Sequence, residues 1–384
     1  MKTRSDMPSW ARELRLHNLG LNPAARFDTP LDLLKGLGAI QAQEYESSLW
    51  AMALRLKPNQ AAQQSPNQSQ DRRAVLNQAM TEGEIVRSWP MRGTLHWVPA
   101  SELSWMLALM TPRILAASAG RLRQLEITPD LLTQSGECLR ELLAETAWLS
   151  RPEILAAFEK IGIATHSQRG YHLLGYHAQT GLICQGPPVG KQPSFALLES
   201  FCPTQTQLSS EAALAEMARL YFSGHGPATV QDLARWTGLS LTQARQGLSA
   251  IQSELTSEIW GGNTHWFFAP PAKLRPVEVP EASLLPAFDE YLIGYQDRDL
   301  VLDPQFAPVV IPGKNGVFQP IFLLNGQVRG IWKRQIKRKK IQIQIFPFEQ
   351  LAKSECEALL KAVEEFADYL NLPFELDFQS ESLE

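Results

Sequence analysis

A Ser or Thr followed three residues later by an acid opens a predicted helix at three places in this 384-residue chain: Thr29–Asp32, Ser150–Glu153 and Thr229–Asp232. The hydroxyl caps the N3 amide and the acid reaches back to the N-cap amide, so the pair marks a helix start. The third copy is the clearest. Gly226-Pro227-Ala228-Thr229 leads into a helix carrying Leu233, Ala234 and Trp236; Gly238 makes a turn, and a second helix runs from Leu241 to Leu255 with Ala244, Leu248 and Ile251 inward. Two short strands around Gly261-Gly262-Asn263 then make a hairpin. The second copy runs the same way: a helix from Pro152 to Glu159, another within 167–179, then strands at 181–186 and 194–198 flanking a Gly/Pro-rich turn, 187–193. Helix, turn, helix and hairpin is the order of a winged helix. Such a unit reads DNA in many proteins and binds other proteins in others.

The first copy carries the most suggestive polar residues. Thr29 caps, Pro30 suits the first helical position, and Gly36 and Gly38 break the helix. A second helix begins near Ser47 and runs to Leu56, with Leu49, Met52, Ala53 and Leu56 on one face. Gln41 and Gln43 fall in the connection. Side chains two apart diverge by about 200° in a helix but share a side in extended chain. Two uncharged amides facing one cavity could hold a water or polarise a sugar. The plainer reading is a pair of solvated or capping glutamines.

Further along, 57–71 is rich in Gln, Asn, Ser and Pro and reads as a surface insertion. A helix is expected around Ala74 to Gly83, then strand, turn and strand across 86–98, with Arg92 and His96 near the turn. Ser101 to Arg123 is helical and carries Arg113, Arg121 and Arg123. From about Pro276 strands alternate with turns: 283–288, 306–311, 316–324, 327–332 and 341–346. Lys314-Asn315-Gly316 and Asn325-Gly326 are tight-turn signals. No Asp or Glu occurs between 311 and 340, whereas Lys314, Arg329, Lys333, Arg334, Lys337, Arg338, Lys339 and Lys340 do. In a chain of net charge −4 this patch is local, and phosphate contact competes with edge-strand protection as its reason. An amphipathic helix over 349–370 is expected to close the domain. Asp289, Glu290, Asp297, Asp299 and Asp303 form an acidic cluster, read here as a loop salt-bridged to Arg298 in preference to a metal or acid–base pair. The four cysteines, Cys138, Cys184, Cys202 and Cys356, have no metal-ligand spacing, so reduced thiols in a cytoplasmic protein are expected. No signal core or membrane span is read.

Gln41-Ala42-Gln43, Met91-Arg92-Gly93-Thr94-Leu95-His96, Gly226-Pro227-Ala228-Thr229, 284–291 (Leu-Leu-Pro-Ala-Phe-Asp-Glu-Tyr) and Asn315-Gly316-Val317-Phe318 occur in this order. As a set they resemble the AlkZ/YcaQ-like bacterial DNA glycosylases of the winged-helix superfamily, over nearly the whole chain. The resemblance implies an α+β fold. Three tandem winged helices (8–130, 131–205 and 206–275) and a β-rich, barrel-like domain (276–384) would form a C-shaped cradle around duplex DNA. It implies a monomer acting on the nucleoid in the cytoplasm, with no metal or other cofactor. The implied reaction is monofunctional excision of alkylated, cationic N7-alkyl purines, with unhooking of interstrand crosslinks in the AlkZ type. The catalytic signature is Gln-aliphatic-Gln in that branch, matched by Gln41 and Gln43 with Ala42 between them. Arg92, His96, Arg113, Lys314, Asn315, Lys333, Arg334 and Lys337 are the expected DNA contacts. A non-catalytic winged-helix regulator is the alternative.

Overall fold

The computed structural model describes residues 8–58, 68–269, 279–313, 316–337 and 339–379. Most of the expected insertion at 57–71 lies outside these residues, as do Lys314 and Asn315 of the predicted turn.

After α1 (Ser9–Asn18), one order of elements appears three times. First come α2 (Pro30–Leu37), β1 (Ile40–Gln41), α3 (Tyr45–Leu54), α4 (Gln68–Thr81), β2 (Ile85–Met91) and β3 (Thr94–Pro99). The long α5 (Leu103–Gln124) leads to α6 (Pro129–Ala144), β4 (Leu149–Ser150), α7 (Arg151–Lys160), α8 (Arg169–Gln179), β5 (Ile183–Val189) and β6 (Gln192–Leu197). The short α9 (Leu198–Phe201) links to α10 (Ser210–His225), α11 (Val230–Thr237), α12 (Leu241–Ile251), β7 (Thr256–Trp260) and β8 (Asn263–Phe267). In each unit the chain after the first helix pairs with the second strand of the hairpin: Gln41 with His96, Ser150 with Ser194, Ala228 with Trp266.

The caps form as the sequence predicts. The Asp32 amide donates to Thr29 Oγ1 at 3.0 Å, Ser150 donates from both its amide and its hydroxyl to Glu153, and the Thr229 amide donates to Asp232 at 2.8 Å. Their phase differs, however. Ser150 and Thr229 open the helix after the short strand or bridge, whereas Thr29 opens the helix before it. The equivalent helix of the first unit, α3, has Glu44 at its N-cap and no side-chain cap.

Two of the units do not stand apart. β2 meets β5 at Arg87↔Gln185, so their strands form one six-stranded sheet in the order β1-β3-β2-β5-β6-β4. The sheet runs across the expected boundary at 130/131.

The C-terminal part contains β9 (Ala282–Leu285), α13 (Glu290–Ile293), α14 (Ala307–Val310), β10 (Ile321–Leu324), β11 (Gln327–Lys337), β12 (Lys340–Pro347), α15 (Lys353–Leu370) and β13 (Phe374–Phe378). Its sheet has the linear order β13-β12-β11-β10-β9. The expected barrel is therefore an open sheet, backed by α15. The strand expected at 306–311 is instead a 3₁₀ turn running into α14, because Asp303 caps the Gln305 amide and two prolines, Pro304 and Pro308, set helical φ at the start. The Asn325-Gly326 turn forms as expected, with φ of 48° and 75° between β10 and β11.

The core runs between the two parts. α3 is buried on every side from Ser47 to Leu54, as a helix wedged between two layers must be. Trp50 donates its indole N–H to the Leu284 carbonyl and packs edge-on against Phe366 of α15. This wedge fixes the segment at the start of α3, where Gln41 and Gln43 lie.

Candidate active site

Gly38 ends α2 with φ 80°, in the left-handed region. The next residues are extended, so Gln41 and Gln43 both address the β2–β3 hairpin. Gln41 Oε1 accepts from Arg92 Nη2 at 2.9 Å, and Gln43 Oε1 accepts from the Leu95 amide at 3.2 Å. Guanidinium and backbone N–H groups only donate, so these partners settle which end of each carboxamide is oxygen. Gln41 is partly covered, Gln43 is exposed and Ala42 between them is fully buried.

The intervening backbone is clamped. The Ala42 amide donates to the Leu95 carbonyl at 2.7 Å, and the Ala42 carbonyl accepts from Arg87 Nε and Nη2 at 2.9 and 2.6 Å. Arg87 also holds Gln185 of the neighbouring hairpin at 2.9 Å, and burial lowers its pKa to about 10. The Gln41 amide donates to Glu290 Oε1 at 2.8 Å. Glu290 is fully enclosed. Its other oxygen accepts from Trp236 Nε1 at 2.8 Å and lies 3.4 Å from His225 Nε2. Burial pushes this carboxyl up, but His225, the Gln41 amide and His96 together outweigh it and leave it below the usual range.

The structure brings Gln41, Gln43, Arg92 and His96 together. Neither basic residue stands free, however. Arg92 occupies a left-handed turn position, φ 53°, and points inward; burial, with Arg235 beyond it, lowers its pKa, and Glu290 offsets part of that. His96 is 0% exposed. Its Nδ1 must donate to the Thr94 carbonyl at 2.9 Å, which leaves Nε2 to accept from Arg92 at 3.3 Å. Burial and Arg92 drive its pKa down to about 3, so the ring is neutral near pH 7.

Arg113 is exposed and donates to the Gly238 carbonyl at 3.2 Å. Gly238, with φ 80°, lies close against Arg92: a Cβ there would come within 3.2 Å of Arg92 Cγ. The turn between α11 and α12 is thus seated on the site. Lys333 and Lys337 are exposed along β11, Lys333 lying 4.9 Å from the Phe346 ring. Arg334 lies over Phe366 at 5.2 Å, and its pKa, lowered by burial, is drawn back up by Glu46 and Glu44. The middle of β11 therefore lies within electrostatic reach of Glu44 and Glu46 at the start of α3.

The acidic cluster differs from the expectation. Asp289 pairs with Arg55, not Arg298, through two bonds of 2.7 and 2.9 Å, with both side chains buried. Glu290 is the residue the sequence reading missed. The only local signal was its place in the segment 284–291, which carries no hint of proximity to Gln41. Among the described residues no group of three or more His, Cys, Asp or Glu could hold a metal ion, and no helix is long and apolar enough to cross a membrane.

A family model described as AlkZ-like DNA glycosylase matches residues 34–369. The chain belongs to the AlkZ-like DNA glycosylase family. Within that family it is 26% identical over 329 residues to the interstrand DNA cross-link repair glycosylase of Streptomyces sahachiroi, covering 82% of this chain and 84% of that protein. The fold of the Streptomyces sahachiroi DNA glycosylase AlkZ matches 98% of this chain and 100% of its own, with a TM-score of 0.75 at 22% identity. This AlkZ-like chain is thus a DNA glycosylase with an α+β fold, and its substrate is DNA.

Proposed function

We propose that this glycosylase hydrolyses the N-glycosidic bond of cationic, N7-alkylated purines, with Gln43 holding the attacking water and Gln41 contacting the substrate. The observation that supports this most is the unequal use of the two amide oxygens. Gln41 Oε1 is polarised by a guanidinium, which makes it a poor acceptor and its NH₂ a better donor. Gln43 Oε1 meets only a neutral backbone amide and sits on an exposed side chain, so it is the better acceptor of the two.

The chemistry asks little of a base. In an N7-alkylpurine nucleotide the base already carries positive charge. As the C1′–N bond breaks, its electrons neutralise the purine and the sugar becomes oxocarbenium-like. Water adds at C1′, its proton passes to solvent, and the products are a neutral free base and an abasic sugar. Gln43 orients the water through its oxygen, and the Gln41 NH₂ contacts the sugar or base. A base that already carries positive charge leaves without a lysine nucleophile, so the proposed course is hydrolytic and monofunctional.

The three helical units serve as tandem winged helices (8–130, 131–205 and 206–275), which with 276–384 form a cradle for duplex DNA. Arg113, Lys333 and Lys337 are its exposed phosphate contacts. The exposure of Gln43 also suits a crosslinked base, which its opposite strand prevents from being fully extruded. We extend the crosslink substrate of the Streptomyces relative to this chain on that ground. The test is base release from a duplex carrying N7-methylguanine and from one with an N7 crosslink, comparing the unaltered protein with Gln41→Ala and Gln43→Ala. Loss in both variants is expected. Equal release by all three proteins, or by none, would end the assignment.

A further inference from the structure

We propose that Arg92 and Glu290 are positioning residues for Gln41, a role that rests on the glycosylase assignment just made. β1 is only two residues long, too short to hold a catalytic side chain by its own pairing. Its Gln41 amide is held by Glu290, and the Gln41 side chain by Arg92. One contact fixes where the residue sits; the other fixes which way its carboxamide faces.

Glu290 cannot touch DNA, because its side chain is 0% exposed. Each group it meets is a donor or has a nitrogen able to donate: the Gln41 amide, the Trp236 indole and His225 Nε2. Such a set calls for an acceptor-only group, hence a carboxylate and not a carboxamide. A glutamine there would set its NH₂ against one of the donors. Arg92 is half-buried. One Nη2 serves both Gln41 and His96, the neutral His96 ring supports it from below, and Gly238 is seated against its stem. A basic residue expected to meet phosphate holds a neutral amide through Nη2, while its Nη1 is buried without a partner among the described residues. The geometry points to one purpose: to occupy the Gln41 oxygen and leave its NH₂ turned to the substrate.

Single-turnover release of N7-methylguanine at saturating enzyme tests this, with a double-mutant cycle as the readout that a merely structural role would not move. Arg92→Met should slow release about tenfold or more, with duplex affinity and its salt dependence within about twofold of the unaltered protein. Arg92→Lys, which restores a donor, should recover part of the rate. The Gln41→Ala/Arg92→Met double variant should be no slower than Gln41→Ala alone. Glu290→Gln should behave as Arg92→Met does; if it does not fold, the Arg92 series still decides the matter for Arg92, and Trp236→Phe, which leaves the carboxylate free to drift, replaces it for Glu290 with a smaller loss of the same non-additive kind. Fully additive losses in the double variants would overturn the proposal. So would an Arg92→Met protein with an unchanged rate at saturation and weakened DNA binding, which would make Arg92 a phosphate contact. If Gln41→Ala itself releases base at the unaltered rate, the role of Gln41 falls first, whatever Arg92 does.

Discussion

Gln41 and Gln43 carry the same side chain two residues apart, yet their oxygens meet different donors, a guanidinium and a backbone amide. Replacing each by glutamate separates the roles. Gln43→Glu keeps an acceptor toward both the Leu95 amide and a water, so its single-turnover rate should stay within about tenfold of the unaltered protein. Gln41→Glu keeps the Arg92 contact and loses the NH₂, so it should fall about a hundredfold or more, as Gln41→Ala does. Equal losses in both glutamates would remove the distinction. The glutamine pair was legible because its signal is local: Gly38 ends a helix and the residues after it must be extended. Arg92 and His96 were legible as neighbours of a turn but not in their burial, since a cation in a sequence reads as exposed. Only the fold shows that one is turned inward and the other is enclosed and uncharged. Glu290 lay beyond reach for a further reason. It stands 249 positions from its partner, and nothing in a local acidic cluster tells which of its members faces a distant strand.

The Arg55–Asp289 pair fastens one element to another. Arg55 is the C-cap of α3, and Asp289 caps α13, which begins with Glu290. Both side chains are essentially without solvent, and the carboxylate takes two bonds from one guanidinium. Asp289→Asn leaves a buried cation unpaired, so the expected cost is about 3–5 kcal/mol, seen as an earlier midpoint in chemical denaturation. A change under about 1 kcal/mol would mean that α3 and α13 are held by packing alone. Elements with self-contained signals were legible, namely the capped helices at Thr29, Ser150 and Thr229 and the Asn325-Gly326 hairpin. Errors fell where neighbours or competing local rules decide. The apolar run 306–311 has the composition of a strand, but Asp303, Pro304 and Pro308 start a helix there first. β13, Phe-Glu-Leu-Asp-Phe, alternates as a strand should, yet it pairs in parallel with β12 after the whole of α15. The merger of two hairpins at Arg87↔Gln185 has no sequence signature at all.

At the scale of the molecule, a chain of net charge −4 must meet DNA through a local face. If six or more phosphates are contacted, duplex affinity should fall about a thousandfold or more between 50 and 200 mM salt. Lys333→Ala and Lys337→Ala should each reduce that slope by roughly one, irrespective of DNA sequence. An unchanged slope in both would move the interface away from β11. A second property concerns pH. His96 is lowered to about 3, and His177 and His265 each to about 4, in every case chiefly by burial. The unfolded chain takes up these protons near pH 6.5 while the folded protein refuses them. Stability from the neutral rings is therefore complete above about pH 6.5 and is lost as pH falls toward 4 and 3, by up to about 2 kcal/mol per ring at pH 5. Denaturation at pH 7 and pH 5 should show His177→Gln losing less on acidification than the unaltered protein. An equal loss would mean that His177 titrates normally.

The long reach from Gln41 to Glu290 has a consequence for how such an enzyme comes into being. A nascent chain emerging from the ribosome can complete its first unit early, glutamines included, yet the carboxylate that holds the Gln41 amide is translated some 249 residues later. Until then the young protein holds the Gln41 strand without the carboxylate that bonds its amide. By the same geography, a fragment ending before α13 would keep Gln41-Ala42-Gln43 and lose the carboxylate that holds the first of them.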